Sequence, residues 1–416
     1  MSGDRQGPGQ DRTPADLSAG TGRYAVPAAP PVPAALPVPA TVPRRVLLHG
    51  AAALGGAALL AACGSAGDAP TGGAATSSTR GLSVTDQRGK TIVLDRPADR
   101  IVTLPQPAAS MLIAVDQSAA RLAGMHQASW VAVRDGLMGE LFPDALKIPH
   151  DVASQDFAPN VESILALKPD VVVQWGDRGP GITAPLENAG LKVAGLTYGT
   201  QEDVAAWITM FAAMLGKPER GRAILAEIGS RLDTVKAQAA QRAAPGPRIL
   251  YFLRFADGLT VATAKSYNDF YIKLVGGQNP ATSVPGAPST GLVPVDKEQV
   301  LAWDPEIVLL GNFDAAMPAD MYANPVWKNL SAVRSGRVYK VPLGGYRWDP
   351  PGQESPLMWR WLSEVAFPAQ GSGLREDIGR YYTFLYGRAP TGAQIDRMLW
   401  TDANGKSAGY GQFSAP

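Results

Sequence analysis

The stretch Asn160 to Trp175, NVESILALKPDVVVQW, decides the fold, because its pattern returns at Asp296 to Gly311, DKEQVLAWDPEIVLLG. In each copy a helix-capping residue, Asn160 or Asp296, is followed two positions later by a glutamate, Glu162 or Glu298. The separation of these two glutamates along the chain is the interval of the repeat. Asn and Asp side chains accept hydrogen bonds from the first turn of a helix, where a glutamate also complements the helix dipole. The proline that follows ends the helix, and the short branched apolar run after it is typical of a buried strand. The repeat therefore predicts two similar lobes.

The composition limits the class of protein. A chain of 416 residues is long enough for two domains. With a formal net charge of +1, 45% hydrophobic and 18% charged residues, the sequence does not indicate a nucleic-acid partner. The single cysteine, Cys63, excludes an intramolecular disulfide framework and any multi-cysteine metal site. With only three histidines and one cysteine, the chain cannot by itself form a high-affinity cage for a transition metal.

Residues 1–62 are interpreted as a disordered start followed by an export signal. Arg44 and Arg45 precede the run VLLHGAAALGGAALLAA, which ends in LAAC at Cys63. This run is short for a transmembrane helix, because about 20 apolar residues are needed to span a bilayer. The order resembles a bacterial lipoprotein signal of the twin-arginine type, with Cys63 as the lipidated residue. An ordinary signal anchor or a chance arginine pair is the alternative.

The segment after the signal is interpreted as a linker. Residues 63–81 are rich in Gly, Ser and Thr and carry no apolar periodicity. Chains of this composition behave as flexible coils. The sequence therefore predicts a flexible tether between Cys63 and the folded part.

The order of strand and helix patterns predicts the fold class. Alternating strands and helices over residues 82–215 and 245–402 predict two Rossmann-like α/β lobes with parallel sheets. Residues 216–244 contain one long helix that begins at Pro218 and has one apolar face, which favours a packed connector over a coiled coil. Residues 403–416 are polar and Gly-rich and predict a loose tail.

Several segments, in this order, carry a resemblance to a known family. They are RIVTL, NVESILALKPDVVV, LGKPERGRAILAEI, KLVGGQN, DKEQVLAWDPEIVLL, NPVWKNLSAVRSGRVYKVP and ESPLMWRWLSEVAFP. Together they resemble substrate-binding lipoproteins of ABC importers, in the class that handles ferric siderophores, haem and cobalamin. The resemblance covers nearly all of Leu82 to Tyr386, and it implies a ligand cleft between two lobes joined by a rigid helix.

The same resemblance implies the partners and the location. Glu162 and Glu298 would lie at the lobe tips, where each meets an arginine pocket of the permease, since complementary charges fix register and speed encounter. Ordinary first-turn acids are the alternative reading. The partners would be the ABC permease with its ATPase, a small metal chelate, and a membrane reached through the N-terminal lipid. The protein is expected to be an extracytoplasmic monomer.

Candidate ligand groups follow the strands, because ligands in open α/β sheets bind beyond the carboxyl ends of the strands. These candidates are Gln106, His126, Trp130, Trp175, Arg178, Arg254, Phe255, Tyr346, Arg347 and Trp348, with Tyr267 added as a possible axial ligand for haem. Guanidinium groups suit carboxylate or catecholate oxygens and flat rings stack on an organic frame, so an iron–siderophore complex is the favoured ligand. Haem, a corrinoid, or a nickel or cobalt chelate are alternatives. His126 is the histidine placed for metal contact, although a structural role is the alternative.

An enzyme is the distant alternative. The sequence has neither an H-E-x-x-H motif nor a phosphate-binding G-x-x-x-x-G-K-[ST] loop, and its one cysteine is predicted to be lipidated. We therefore expect a binding protein without a resident cofactor. A purely structural lipoprotein would not need paired lobes with matching acidic helix starts.

Overall fold

The computed structural model describes residues 81–242, 244–284, 291–368 and 372–415. The predicted export signal, Cys63 and nearly all of the predicted tether lie outside these residues. Among the helices in these ranges, we found none that has both the length and the apolar character needed to cross a bilayer.

The N-terminal lobe is built on a parallel sheet. An antiparallel hairpin, β1 (Leu82–Thr85) and β2 (Thr91–Leu94), precedes it. The sheet has the order β4–β3–β5–β6 and consists of β3 (Ile101–Thr103), β4 (Leu122–Met125), β5 (Val171–Trp175) and β6 (Val193–Leu196). Its helices are α1 (Ala108–Asp116), α2 (Gln127–Asp135), α3 (Met138–Leu141), α4 (Val161–Ala166), α5 (Ala184–Asn188) and α6 (Gln201–Met214). Short 3-10 helices occupy Pro143–Lys147 and Pro180–Ile182.

The long helix α7 (Pro218–Ala240) leads into the C-terminal lobe. The strands of this lobe are β7 (Ile249–Arg254), β8 (Thr260–Ala262), β9 (Leu292–Pro294), β10 (Ile307–Leu310) and β11 (Val338–Lys340), in the order β11–β10–β7–β8–β9. Its helices are α8 (Tyr267–Leu274), α9 (Lys297–Trp303), α10 (Pro318–Ala323), α11 (Ser331–Arg334), α12 (Ser355–Ala366), α13 (Leu374–Tyr386), α14 (Gly392–Met398) and α15 (Thr401–Asn404). Residues Pro325–Trp327 and Tyr410–Phe413 form 3-10 helices.

The prediction of two α/β lobes joined by one long helix is confirmed, with one difference in the second sheet. Strands β11, β10 and β7 are parallel, whereas β8 and β9 pair antiparallel. Only residues 255–259 separate β7 from β8, and a parallel connection needs a crossover of a dozen residues or more. The C-terminal sheet is therefore mixed.

Helix α7 is a packed connector. Proline occupies its first turn, and Ile224, Ile228 and Val235 are buried along one face. Arg231 of α7 pairs with Asp377 of α13 at 2.8 Å. These contacts tie the connector to the C-terminal lobe.

The repeat seen in the sequence is also a structural repeat. The Asn160 side chain accepts a hydrogen bond from the Ser163 N–H at 3.2 Å, and Asp296 accepts one from the Gln299 N–H at 2.7 Å. The caps of α4 and α9 are thus equivalent.

The ends of the two repeat helices match as well. Lys168 and Asp304 both have positive φ, 49° and 40°. The acid after each following proline accepts a backbone hydrogen bond: Asp170 from the Arg100 N–H at 2.9 Å and Glu306 from the Arg248 N–H at 3.0 Å. Each acid thereby anchors its strand beside the neighbouring strand.

The prediction of a loose tail at residues 403–416 is wrong over the part that the structure describes. Tyr410 and Phe413 are buried in the main hydrophobic core, and the Tyr410 hydroxyl donates to the Leu399 carbonyl at 2.6 Å. Asn404 pairs with both backbone polar groups of Lys340. The polar, glycine-rich composition predicted a loose segment, but burial of these two aromatic side chains stabilises its packed conformation.

Candidate functional site

A cavity of about 190 Å³ is lined by both lobes, beyond the carboxyl ends of their strands. The N-terminal lobe contributes Gln106, Pro107, Phe157, Trp175, Arg178 and Tyr198, and the C-terminal lobe contributes Phe313, Tyr346 and Pro350. The lining is therefore mostly aromatic, with one cationic side chain and one amide. A mostly aromatic lining with a few polar groups is typical of a small-molecule site.

Arg178 is the cationic group of the cavity wall. Its guanidinium carbon lies 4.2 Å from the centroid of the Trp175 ring and 4.7 Å from that of Phe157. Within the described ranges Arg178 forms no ion pair, and burial lowers its pKa while the charge of Asp177 opposes that effect. Cation–π contacts compensate only part of the lost hydration. The guanidinium donors remain available to an anion.

Phe157 is held in a strained conformation at this wall. It has φ of 69°, which is unfavourable for a bulky residue. The Gln174 side chain donates to its carbonyl at 3.1 Å, and the His126 ring stacks on its ring at 4.4 Å. The neighbouring groups thus fix the ring on which Arg178 lies.

His126, the histidine predicted to contact a metal, caps the helix α2 in this structure. Its Nδ1 accepts a hydrogen bond from the Ala128 N–H at 3.0 Å and caps α2, and Nε2 contacts the Ser154 carbonyl at 2.9 Å. Both ring nitrogens are engaged, and burial lowers the pKa of the imidazole, partly offset by the Ser154 carbonyl. We found no group of three or more His, Cys, Asp or Glu side chains among the described residues that could hold a metal ion.

Arg347 lies behind the wall contributed by the C-terminal lobe. Its guanidinium carbon is 4.7 Å from the Phe313 ring centroid and 5.7 Å from that of Tyr346. Its Nε donates to the Asn312 carbonyl at 3.3 Å, but its buried Nη1 has no hydrogen-bond partner. The buried indole nitrogen of Trp175, on the opposite lobe, also lacks a partner. Unpaired buried donors of this kind are costly unless an acceptor binds them.

A buried carboxylate positions the loop that precedes Tyr346. Glu354 accepts hydrogen bonds from the Trp348 indole and the Tyr382 hydroxyl, both at 2.7 Å, and from the Gly345 N–H at 3.2 Å. Burial raises the pKa of Glu354, and these donors act in the opposite direction. Trp348, predicted to contact ligand, is therefore a structural partner of this carboxylate.

A buried lysine positions the loop that carries Phe313. The Lys340 Nζ donates to the carbonyl oxygens of Gly311, Asp314 and Ala316 at 2.8, 2.7 and 3.1 Å. Burial lowers the pKa of Lys340 to about 8. The three bonds close residues 311–316 into a loop at the carboxyl end of β10.

Contacts between the lobes flank the cavity. The Tyr198 hydroxyl donates to the Pro351 carbonyl, and the Leu137 N–H donates to the Gly344 carbonyl at 2.8 Å. Tyr267, predicted as an axial ligand for haem, instead donates to the Gln201 side chain at 3.1 Å and accepts from the Trp359 indole. Its hydroxyl belongs to the lobe interface.

Three further predicted ligand residues lie away from the cavity lining. The Trp130 ring stacks on His150 at 4.4 Å and donates to the Leu146 carbonyl at 3.0 Å. Phe255 packs in the second core cluster, against Phe252 and Trp327. Arg254 pairs through its backbone with Thr260 of β8, and its half-buried side chain is not among the described residues that line the cavity.

The structure brings four predicted residues to one cavity: Gln106, Trp175, Arg178 and Tyr346. Their contact with ligand stays a prediction. The sequence reasoning missed Phe157, Tyr198 and Phe313. Tyr198 follows β6 and Phe313 follows β10, so the strand-end rule would have found both had it been applied to every strand. Phe157 lies in a loop and carries no comparable signal.

A second, larger groove of about 720 Å³ lies between α3 and the segment after α13. Three of the four described acids that line it are already paired: Asp135 with Arg134, Glu140 with Arg397, and Asp396 with Arg375. Because this groove lies away from the strand ends, we do not assign the ligand to it.

One short motif resembles a serine-hydrolase nucleophile turn, since Gly405 to Gly409 reads GKSAG. Its serine, Ser407, is buried and donates to the Val338 carbonyl at 2.5 Å. The motif follows the helix α15 and not a strand, so it lacks the context of a nucleophile.

Known proteins with similar sequences are binding proteins. The sequence model described as "Periplasmic binding protein" matches residues 126–343. The Fe(3+)-citrate-binding protein YfmC of Bacillus subtilis (strain 168) is 28% identical over 186 residues, which cover 44% of this chain and only 56% of that protein. The Fe(3+) dicitrate-binding periplasmic protein FecB of Escherichia coli (strain K12) is 26% identical over 268 residues, covering 62% of this chain and 81% of that protein.

The similarity extends to solved structures. The crystal structure of a periplasmic solute binding protein from Veillonella parvula DSM 2008 is 31% identical and has a TM-score of 0.72. The match covers 78% of this chain and 98% of that chain. The chain therefore belongs to the periplasmic binding protein family.

Proposed function

We propose that this protein is the substrate-binding component of an ABC importer and that it captures an anionic ferric chelate. The observation that carries the proposal is Arg178 in the wall of the interlobe cavity, with Arg347 behind the opposite wall. Arg178 lies on an aromatic wall without an ion pair, and Arg347 keeps a buried nitrogen without a partner. Both arginines lie within the residues that the structure describes.

The chemistry of these groups favours oxygen-rich anions. A guanidinium donates in a fixed fork that matches carboxylate oxygens, and its weak hydration makes it suited to a partly buried site. The rings of Trp175, Tyr198 and Phe313 offer flat apolar surfaces to the carbon frame of a ligand. A ferric siderophore with carboxylate or catecholate oxygens combines both features.

The relatives support this ligand class. Two of them are named for Fe(3+)-citrate and Fe(3+) dicitrate, while others are named for vitamin B12 and for haem. Haem, a corrinoid and a nickel or cobalt chelate therefore remain the runner-up ligands. The family favours an extracytoplasmic location, in agreement with the proposed twin-arginine signal and with lipidation at Cys63. Capture without catalysis is the proposed activity.

The test is a titration of the purified protein with ferric citrate, followed by tryptophan fluorescence. We expect saturable quenching, because Trp175 lines the cavity. Arg178→Ala and Arg347→Ala should each weaken binding by at least about tenfold, equivalent to about 1.4 kcal/mol.

A matched control is Arg388→Ala. Arg388 is exposed and stacks on Phe142 at 5.0 Å, so it reproduces a cation–π contact outside the cavity. Its removal should leave the affinity unchanged. Unchanged affinity in both the Arg178 and the Arg347 variant would refute the proposed ligand site.

A further inference from the structure

Phe157 is a buried aromatic residue in an otherwise exposed loop. It keeps only 9% of its surface exposed, whereas its neighbours Ser154, Gln155, Asp156 and Ala158 are exposed. The Phe157 N–H donates to the Ser154 carbonyl at 3.0 Å, and the Ser154 N–H donates to the Ala158 carbonyl at 2.9 Å. These two hydrogen bonds close a tight turn that directs the Phe157 ring inward.

The backbone of this turn suits glycine better than phenylalanine. Phe157 has φ of 69°, in the left-handed region that glycine enters freely and that costs free energy for a residue with a Cβ atom. Asparagine and aspartate tolerate this region better than a bulky residue does. A phenylalanine at this position therefore indicates a role for its ring.

A buried amide holds the turn in place. Gln174 is fully buried in β5, and its Nε2 donates to the carbonyl oxygens of Phe157 at 3.1 Å and Ile182 at 3.4 Å. Its Oε1 accepts from the Trp175 N–H at 2.8 Å. The position related to Gln174 by the interval of the repeat holds Leu310. The N-terminal lobe thus fixes Phe157 with a polar group that the other lobe lacks at this place.

The Phe157 ring occupies a space suited to any flat aromatic group. It stacks on His126 at 4.4 Å between ring centroids, and its centroid lies 4.7 Å from the guanidinium carbon of Arg178. The Trp175 ring meets it edge to face at 5.7 Å. Aromatic and cationic side chains offer the same contacts to an aryl group of a ligand. Because Phe157 lines the interlobe cavity, removal of its ring would join this space to the cavity.

We propose that the chain fills an aryl-binding subsite with its own Phe157 ring, and that Phe157 thereby selects hydroxycarboxylate chelates over catecholate chelates. The inference rests on the proposed function, because it concerns the choice of ligand at the same cavity. A catechol ring would need the place between His126, Trp175 and Arg178 that the Phe157 ring holds. Citrate has no ring, so its ferric complex does not compete with Phe157 for this space.

The test compares the ferric complexes of citrate and of 2,3-dihydroxybenzoate by equilibrium dialysis, with iron measured on both sides. Wild type should bind the citrate complex at least about tenfold more tightly than the dihydroxybenzoate complex. Phe157→Gly deletes the ring while glycine keeps the conformation of the turn. This variant should bind the dihydroxybenzoate complex at least about tenfold more tightly than wild type does, with a far smaller change for citrate. Partial unfolding would not produce a gain of affinity.

Phe157→Asn repeats the test with a small residue that also tolerates the left-handed conformation. The matched control is Phe142→Ala. Phe142 is a buried ring of the same lobe that contacts Arg388 at 5.0 Å and Tyr386 at 6.2 Å, and it is not among the described residues that line the cavity. Its removal should give no gain of affinity for the dihydroxybenzoate complex.

The outcomes separate this proposal from the proposed function. A gain in either Phe157 variant but not in the Phe142 variant supports the selective role of the ring. The proposal is overturned by no gain in both Phe157 variants, by an equal gain in the control, or by a wild-type preference for dihydroxybenzoate. Failure of wild type to bind either ferric complex would instead contradict the proposed function.

Discussion

Lys340 is a buried lysine whose titration makes the stability of the folded protein depend on pH. It is 2% exposed, and burial lowers its pKa from 10.5 to about 8. Asp349 and Asp314 raise this pKa, and Arg347 lowers it further. At about 1.4 kcal/mol per pKa unit, the charged form costs the folded state about 3 kcal/mol relative to the unfolded chain.

The direction in which the free energy of unfolding changes with pH follows from proton binding. Between pH 8 and 10.5 the unfolded chain holds the lysine proton more tightly than the folded protein does. The free energy of unfolding therefore rises with pH through this window. Lys340→Met has no proton to exchange at this position. The unfolding free energy of wild type minus that of Lys340→Met should therefore increase by about 3 kcal/mol from pH 7.5 to 10.5.

The measurement is urea unfolding at several pH values across this window, followed by tryptophan fluorescence. Lys328→Met, an exposed lysine of the same lobe, is the matched control and should follow wild type at every pH. The reasoning is refuted if the difference between wild type and Lys340→Met stays constant across the window. It is also refuted if the control shows the same change.

Two further substitutions test the carboxylates. Glu354→Ala removes the acceptor of several buried donors, at about 1–3 kcal/mol each, so the free energy of unfolding measured with urea should fall by more than about 4 kcal/mol. Glu354→Gln should lose clearly less, and an equal loss would contradict this account. Glu162→Arg with Glu298→Arg should abolish ferric citrate uptake by the native host while the purified protein still binds ferric citrate. Loss of that binding would assign these acids to the pocket.

The fold was predictable because the signals that define it are local. A cap, a first-turn glutamate, a proline and a branched apolar run follow one another within the single stretch Asn160 to Trp175, and they recur once. The structure adds that Asp170 and Glu306 anchor neighbouring strands. The antiparallel β8 and β9, and the burial of Tyr410 and Phe413, depend on contacts between distant segments. Periodicity within a short window does not contain that information.

The site was predictable only in part, because strand order fixes an edge of the sheet but not the direction of each side chain. Trp175 and Arg178 reach the cavity from the end of β5, whereas Phe255, which follows β7, turns into the core. His126 caps a helix because its loop conformation directs Nδ1 to the Ala128 N–H. No pattern along the chain would have identified Glu354, whose tyrosine partners lie on α13.

The size of the cavity separates a small chelate such as ferric citrate from the two macrocyclic alternatives, haem and a corrinoid. Its volume of about 190 Å³ lies below the roughly 300–1,000 Å³ common for drug-sized ligands, and a porphyrin or corrin ring would require the lobes to separate. Separation would break the contacts of Tyr198 with Pro351 and of Leu137 with Gly344. We therefore expect ferric citrate to quench the tryptophan fluorescence at concentrations at which haemin and cobalamin do not compete. Displacement of bound ferric citrate by haemin would show that the lobes open readily. Haem would then replace the ferric chelate as the favoured ligand.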